Sequence, residues 1–501
     1  MRLTELLRDA GVVGRELGST TYFGVTDVDV TGIAVESKRI VPGWLFVALP
    51  GRHSHGAAFA REAIGAGAVA IVTDDEGART LAELSVPVIV VQDPRRLLAP
   101  LAIALWNHPA ERLSMLGVTG TNGKTTVTHL IRAALQDAGI PCGIIGTLGT
   151  ALPGAALSPH PRTTPEAPDV QSTLASMVDA GARAVAMEVS SIALCEHRVD
   201  GIEFDVSAFT GLSHDHLDYH GSMDAYFEAK AELFTHPRSR CGVVVVDDPW
   251  GRRLASTSPI PMTTVSVGES DADWTGKRQG DDVLIVGPET SRVRLVLPTD
   301  FALSNLVLAV AVAHTQGVPA QQAAESAARA RVPGRMELVG TFEEIDFVVD
   351  YAHTPDAIAR VVSAAADRRS ASGGQVIVVL GAGGDRDPGK RAGMGRSAGN
   401  HAHLVIVTDD NPRSEEPSSI RRAVMRGVQE SGCSAREVPD RRMAIQAAVQ
   451  AAQPGDIVLV LGKGHETTQE ITGHVLAFDD REVLASFIEA RFGSDGEVGR
   501  R

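Results

Sequence analysis

Aromatic residues are scarce: Phe, Trp and Tyr make up 4% of the 501 residues, too few for the stacking platforms on which single-stranded nucleic acids are held. Positive charge is in deficit, with 47 Lys and Arg against 62 Asp and Glu for a net charge of −15. A basic face for nucleic acid is therefore not expected, although a local basic pocket stays open. The four cysteines, Cys142, Cys195, Cys241 and Cys433, form no CxxC pair. That argues against a zinc ribbon, a dithiol redox site or a disulfide scaffold, and for a reducing compartment. No apolar run approaches the length of a membrane span. The opening Met1–Asp9 lacks the apolar core of a signal peptide and has the pattern of a short amphipathic helix. The expected location is cytoplasmic, and a monomer is expected.

What the sequence does have is an ordinary globular composition, 44% hydrophobic and 22% charged, with 50 Gly and 26 Pro, which excludes disorder as the main state and fits many tight turns. Short Val/Ile runs alternate with longer helical patterns, as in Val69–Thr73, Pro87–Val91, Ala184–Glu188, Gly242–Val246, Val376–Leu380, Leu404–Thr408 and Asp456–Leu461. Such runs predict parallel strands buried on both faces. The expected class is α/β, in three consecutive α/β domains. Breaks at Trp106–Pro109 and Val332–Gly334 place them at 1–108, 109–332 and 333–501. The stretch from about 260 to 300 is expected to add antiparallel strands to the central sheet.

The sharpest local signal is Gly117-Val-Thr-Gly-Thr-Asn-Gly-Lys-Thr-Thr126, between an apolar strand and a helical stretch. Glycines let backbone N–H groups reach phosphate oxygens, Lys124 supplies a point charge, the Thr125 hydroxyl can hold Mg²⁺, and the helix N-terminus favours an anion. The core of the signal is Gly120, Thr121, Asn122, Gly123, Lys124, Thr125 and Thr126. It fits a GTPase, a transport ATPase, a kinase or a ligase equally well.

Two further segments follow strands. Glu188-Val-Ser-Ser191 puts a carboxylate at a strand end, where α/β sheets face their ligands, and Mg²⁺ prefers such oxygen donors. Thr210-Gly-Leu-Ser-His-Asp-His-Leu-Asp-Tyr-His220 is dense in His and Asp, but its spacing does not match a zinc site and suits a Mg²⁺/phosphate role better. Lys230 lies in Tyr226-Phe-Glu-Ala-Lys230. By residue type alone it belongs on a solvated helix face, since an ammonium cannot ligate a cation.

Taken in order, these segments resemble the Mur ligase family, the ATP-dependent amide ligases of peptidoglycan precursor synthesis. The resemblance extends through Ser304-Asn305, Gly334-Arg-Met-Glu337 and Asp350-Tyr-Ala-His-Thr-Pro355. Arg162-Thr-Thr-Pro165, Gly383-Gly-Asp-Arg-Asp387, Asp410-Asn-Pro-Arg413 and Gly462-Lys-Gly-His-Glu466 are similar to the branch that adds the third peptide residue. It implies an N-terminal UDP-binding domain, a central ATP-binding P-loop domain with a mostly parallel sheet, and a C-terminal, Rossmann-like domain that binds the amino acid. It also implies that Lys230 is carbamylated by CO2 and, as a carbamate, joins Thr125, Glu188 and His216 around Mg²⁺. Asn305 would contact adenine, Asp350 the ribose and Arg335 the γ-phosphate side, with His353 also among the ATP contacts. Ser37, Thr163, Thr164, Ser190, Arg198 and Lys230 would hold the UDP-muramoyl-dipeptide. Arg386, Asp410, Asn411, Arg413, Gly462 and Glu466 would take meso-diaminopimelate, whose distal carboxylate suits the arginine fork. The resemblance assigns catalysis to Lys124, Lys230, Glu188, His216 and Arg335.

The implied reaction forms an acyl phosphate on the D-glutamate of UDP-N-acetylmuramoyl-L-alanyl-D-glutamate, which the amine of the incoming amino acid attacks. Three alternatives stay open: the same ligase using L-lysine or another diamino acid, a folylpolyglutamate-synthase-like ligase, and a non-catalytic P-loop sensor. Lys38, Trp44, His55, Gly211, His214 and Thr468 depart from the family's usual residues.

Overall fold

Val- and Ile-rich runs become central strands because their branched side chains pack on both faces of a parallel sheet. The computed structural model describes residues 1–12, 21–23, 27–51, 54–81, 84–268, 271–279, 282–295, 299–370 and 373–493. They divide into two compact units, Met1–Arg294 with Ser304–Ala328, and Leu295–Leu303 with Arg329–Arg501. The class is α/β with mostly parallel sheets, as expected. Among the described residues no helix is long and apolar enough to cross a membrane.

The first unit carries two sheets. The smaller runs in the order Thr21–Phe23, Val88–Val90, Ala70–Thr73, Trp44–Val47, Gly32–Ala34. The larger has a parallel centre in the order Met262–Ser266, Ser239–Val245, Phe204–Phe209, Ser114–Thr119, Ala184–Glu188, Cys142–Gly146. Beyond Trp274–Gln279, its edge continues into antiparallel Asp282–Val286 and Thr290–Arg294, as the sequence predicted for this stretch. Register matters most at the centre: Phe209 pairs with Thr119, and Val118 with Glu188. The phosphate loop, Glu188 and the Thr210–His220 segment therefore leave the sheet at one edge, the carboxyl edge where α/β sheets bind ligands.

The second unit holds a six-stranded sheet in the order Glu337–Phe342, Ile345–Asp350, Ile457–Leu461, Val376–Leu380, Leu404–Val407, Ser434–Glu437, antiparallel only at the first pair. Asp350 and Leu380 both pair with Leu461, and Leu380 also with Val407. The segments from Asp350, Gly381, Asp410 and Gly462 consequently emerge side by side.

This unit is pinned by a buried ion pair. Arg441 Nε and Nη2 donate to the two Asp480 oxygens at 2.8 and 2.7 Å, and both side chains are 0% exposed. Arg441 Nη2 also donates to the Leu461 carbonyl, 3.0 Å away, at the end of a site-bearing strand. Asp480→Ala would strand the guanidinium without its counter-charge, so we expect a loss of about 3–5 kcal/mol, measured as a lower urea midpoint. An unchanged midpoint would show that the pair is not needed for stability.

Candidate active site

The helix Lys124–Asp137 starts at Gly123, whose φ of 87° lies in the left-handed region. Gly120, with φ 141°, is crowded as well: a Cβ there would lie 1.9 Å from Thr210 Oγ1, so only glycine fits. Thr210 Oγ1 donates to the Asn122 carbonyl at 2.5 Å and Ser213 N to Thr121 Oγ1 at 3.0 Å, tying the 210–220 segment to the phosphate loop. Lys124 Nζ donates to the carbonyls of Gly120 (2.9 Å) and Thr121 (3.0 Å). Thr125 is buried and Thr126 half-buried in the first turn.

Lys230 is not on a solvated face. It is 1% exposed, and its Nζ donates to the same Gly120 carbonyl at 2.9 Å. The helix Met223–Ala231 turns it inward with Tyr226, whose ring centroid lies 4.6 Å from Nζ. Burial, and secondarily the nearby Lys124 charge, hold the Lys230 amine well below the usual lysine range. Two amines thus converge on one carbonyl oxygen, and the buried one is driven towards its neutral, nucleophilic form. Burial also pushes the Tyr226 hydroxyl above the usual phenol range, and its oxygen lies 3.3 Å from Thr121 Oγ1.

Glu188 is buried, its carboxylate accepting from Thr147 N (2.8 Å) and Thr147 Oγ1 (3.0 Å). His216 takes a left-handed φ of 52° and is held below the usual imidazole range by burial, against the pull of Asp215. Among the described residues no three His, Cys, Asp or Glu side chains stand close enough to hold a metal ion by themselves. Mg²⁺ does not require that, since it commonly binds one or two protein oxygens together with phosphate oxygens. The oxygens of Thr125 and Glu188 at the phosphate loop fit such a mixed set. Asn305, on the helix Asp300–Thr315, is buried with its amide nitrogen unpaired, and its oxygen lies 2.6 Å from where a Cβ on Gly123 would sit. A buried, unsatisfied donor beside a phosphate loop calls for an acceptor.

The residues expected to hold the UDP-linked substrate form a chain beside Glu188. Thr163 Oγ1 lies 3.0 Å from Thr147 Oγ1; Thr164 Oγ1 donates to the Glu188 carbonyl at 2.9 Å and accepts from Ser190 N at 3.1 Å. Ser190 caps the helix Ser191–Cys195. Arg198 Nη1 donates to the Thr164 carbonyl at 3.2 Å, and its Nε is 3.2 Å from Glu166 Oε1. Burial lowers the Arg198 pKa. Glu166, which the sequence did not single out, is buried and also meets Arg95 at 2.7 Å and Arg162 at 3.7 Å. Ser37 donates its hydroxyl to Glu62 at 3.0 Å, and neighbouring Arg39 reaches Asp169 at 2.8 Å.

In the second unit Asp350 is buried. Its oxygens accept from Met336 N (2.7 Å) and Ala352 N (2.8 Å), while burial raises its pKa and the Arg335 charge opposes the rise. The Arg335 guanidinium lies 4.3 Å over the Tyr351 ring, its buried Nε without a partner. His353 Nδ1 lies 2.9 Å from the Tyr351 carbonyl. His465 packs 5.1 Å from the Tyr351 ring, and burial lowers its pKa to about 4.

Next to this group stand the expected amino-acid ligands. Asn411 Nδ2 donates to Glu466 Oε2 at 2.8 Å. Gly462 has φ 114°, and a Cβ on it would lie 2.6 Å from Asp410 Oδ2. Arg413, at φ 53°, donates from Nη1 to the Gly384 carbonyl at 2.6 Å, and its Nε is 3.6 Å from Glu470 Oε2. Arg386 is exposed. Lys463 was missed: it sits inside a motif the sequence did mark, but its burial is set by strand register. One unusual residue has a local explanation: His55 accepts from Ala57 N as a helix cap and lies 3.0 Å from Asp74. Nothing in the structure explains Lys38.

Three family models match in order: "Mur ligase family, catalytic domain" over residues 29–105, "Mur ligase middle domain" over 118–313 and "Mur ligase, glutamate ligase domain" over 334–464. The chain is 42% identical over 482 residues to the UDP-N-acetylmuramoyl-L-alanyl-D-glutamate--2,6-diaminopimelate ligase of Streptomyces coelicolor, covering 93% of this chain and 94% of that one. It is 43% identical over 512 residues to the Corynebacterium glutamicum protein of the same name, covering 98% of both. A solved structure of a ligase of that name superposes with a TM-score of 0.67 at 30% identity, over 98% of this chain and 99% of that one. A MurF structure from Acinetobacter baumannii shares the fold alone, at TM-score 0.64 and 16% identity over 97% and 98% of the two chains. With this identity sustained over nearly its whole length, the chain belongs to the Mur ligase family.

Proposed function

We propose that this chain joins meso-diaminopimelate to UDP-N-acetylmuramoyl-L-alanyl-D-glutamate at the expense of ATP, in peptidoglycan precursor synthesis. The observation that carries this reading is the grouping of Asp410, Asn411, Arg413, Gly462 and Glu466 after the two strands that flank Val376–Leu380 in the second unit. Carboxylates for ammonium groups and an arginine for a distal carboxylate are what a zwitterionic side chain needs. The names of the relatives support the same substrates.

In this reading the D-glutamate carboxylate attacks the γ-phosphorus of ATP, ADP leaves, and the incoming amine displaces phosphate from the acyl phosphate. Lys124 and the loop amides take the phosphates, Asn305 the adenine, Asp350 the ribose and Arg335 the γ-phosphate, with His353 a further ATP contact. Thr163, Thr164, Ser190 and Arg198 hold the UDP-linked substrate, with Ser37 at its uridine. The neutral Lys230 amine adds CO2 and loses a proton, which turns a buried neutral amine into an anionic carbamate beside Lys124. Thr125, Glu188, His216 and that carbamate would hold Mg²⁺, which when bound supplies positive charge beside the phosphates. Because ATP and UDP-linked precursors are cytoplasmic, we place the reaction there.

The test is phosphate release by the purified protein. Release is expected only when ATP, the UDP-muramoyl-dipeptide and meso-diaminopimelate are all present. Equal release with ATP alone would make the protein a plain ATPase and overturn the reading.

A further inference from the structure

Lys463 follows the strand Ile457–Leu461 and is a lysine with 0% side-chain exposure. A buried ammonium is tolerated only when its donors are met. Here all three are: Nζ donates to Thr468 O at 2.6 Å, Glu466 Oε2 at 3.1 Å and Asn411 Oδ1 at 3.3 Å. Asn411 Oδ1 also accepts from Glu470 N at 2.9 Å, while its Nδ2 donates to Glu466 Oε2 at 2.8 Å. These bonds are mutually consistent only with the amide oxygen towards Lys463, so the Asn411 carboxamide has a single orientation. Glu466 is a third exposed, and the same oxygen, Oε2, takes both of its bonds. Its Oε1 accepts none among the described residues.

We infer that Lys463 is a positioning residue for the amino-acid substrate: its ammonium ties Asn411 and Glu466, from two different strand ends, into one rigid acceptor and leaves Glu466 Oε1 free for an ammonium of the incoming diamino acid. The inference rests on the substrate reading above and adds a residue to it. Its three ammonium donors are spent on protein acceptors, so its role is to hold those acceptors in place. Without it Glu466 can rotate, Asn411 can flip, and the subsite loses its preorganised shape.

The experiment compares the full-length protein with Lys463→Met and Lys463→Gln. Phosphate release is measured against meso-diaminopimelate, then against ATP, with the other substrates saturating, and thermal melting is followed in parallel. Gln keeps a polar group in the pocket should Met impair folding. The expected result is a KM for meso-diaminopimelate raised about tenfold or more, a KM for ATP within about twofold, and a smaller change in kcat. A folded variant with the original KM for the amino acid overturns the inference. So does a parallel rise of both KM values with a lowered melting temperature, which is the signature of a merely structural lysine. If the unmodified protein releases phosphate without any amino acid, the substrate reading itself fails, and this inference with it.

Discussion

Lys230→Arg is expected to lower amino-acid-dependent phosphate release by roughly 1,000-fold, the scale of losing one preorganised charge-stabilising group. The site is built around a lysine that can shed its proton. Its Nζ is buried and shares the Gly120 carbonyl with Lys124, and burial lowers its pKa well below the ordinary value. Arginine stays protonated in proteins and does not form a carbamate with CO2. It would keep two positive charges against one carbonyl where the proposed chemistry needs one positive and one negative. Carbon-13 NMR after equilibration with labelled bicarbonate gives a readout separate from turnover: a carbamate carbonyl signal in the unmodified protein, absent in the variant. A Lys230→Arg protein that retains full turnover would remove the carbamate from the mechanism.

The same lysine shows where sequence reasoning stops. Its residue type argued for solvent, and only the family resemblance argued otherwise. The structure resolves the conflict by a cause that composition cannot display: the short helix Met223–Ala231 presents Tyr226, Phe227 and Lys230 to the interior. The phosphate loop was legible because its function lies in the backbone, and glycine spacing writes backbone geometry directly into sequence. The α/β class was legible for a similar reason, since strands buried on both faces need uninterrupted branched residues. Glu166 and Lys463 were not legible. Each is an ordinary charged residue whose importance comes from partners distant in sequence, Arg95 for Glu166 and Asn411 for Lys463. The first pair joins two helix starts and the second two strand ends, so both depend on tertiary arrangement, which single-residue chemistry does not carry.

Arg413→Ala is expected to lower kcat/KM for meso-diaminopimelate about 100-fold while leaving that for L-lysine within about threefold, because truncating one partner of a desolvated charge pair costs about 2–5 kcal/mol. The two amino acids differ by one distal carboxylate, so only a group that meets that carboxylate can separate them. In the proposed reading Arg413 is that group. Its backbone is held at φ 53° by Arg413 N donating to the Glu470 carbonyl and its own carbonyl accepting from Thr472 N, at 3.1 and 2.8 Å. Its Nη1 is fixed on the Gly384 carbonyl, which orients the guanidinium plane before any substrate arrives. Arg413→Lys separates charge from geometry. If charge alone selects the substrate, lysine at this position preserves the preference; if the planar fork selects it, most of the preference is lost despite an unchanged net charge, and the second outcome is the one expected. Side-by-side turnover of the two amino acids by the unmodified protein decides the premise. Equal use of L-lysine would mean that the distal carboxylate is not read at all, and Arg413 would then be a residue that only holds the loop after Pro412 against Gly384.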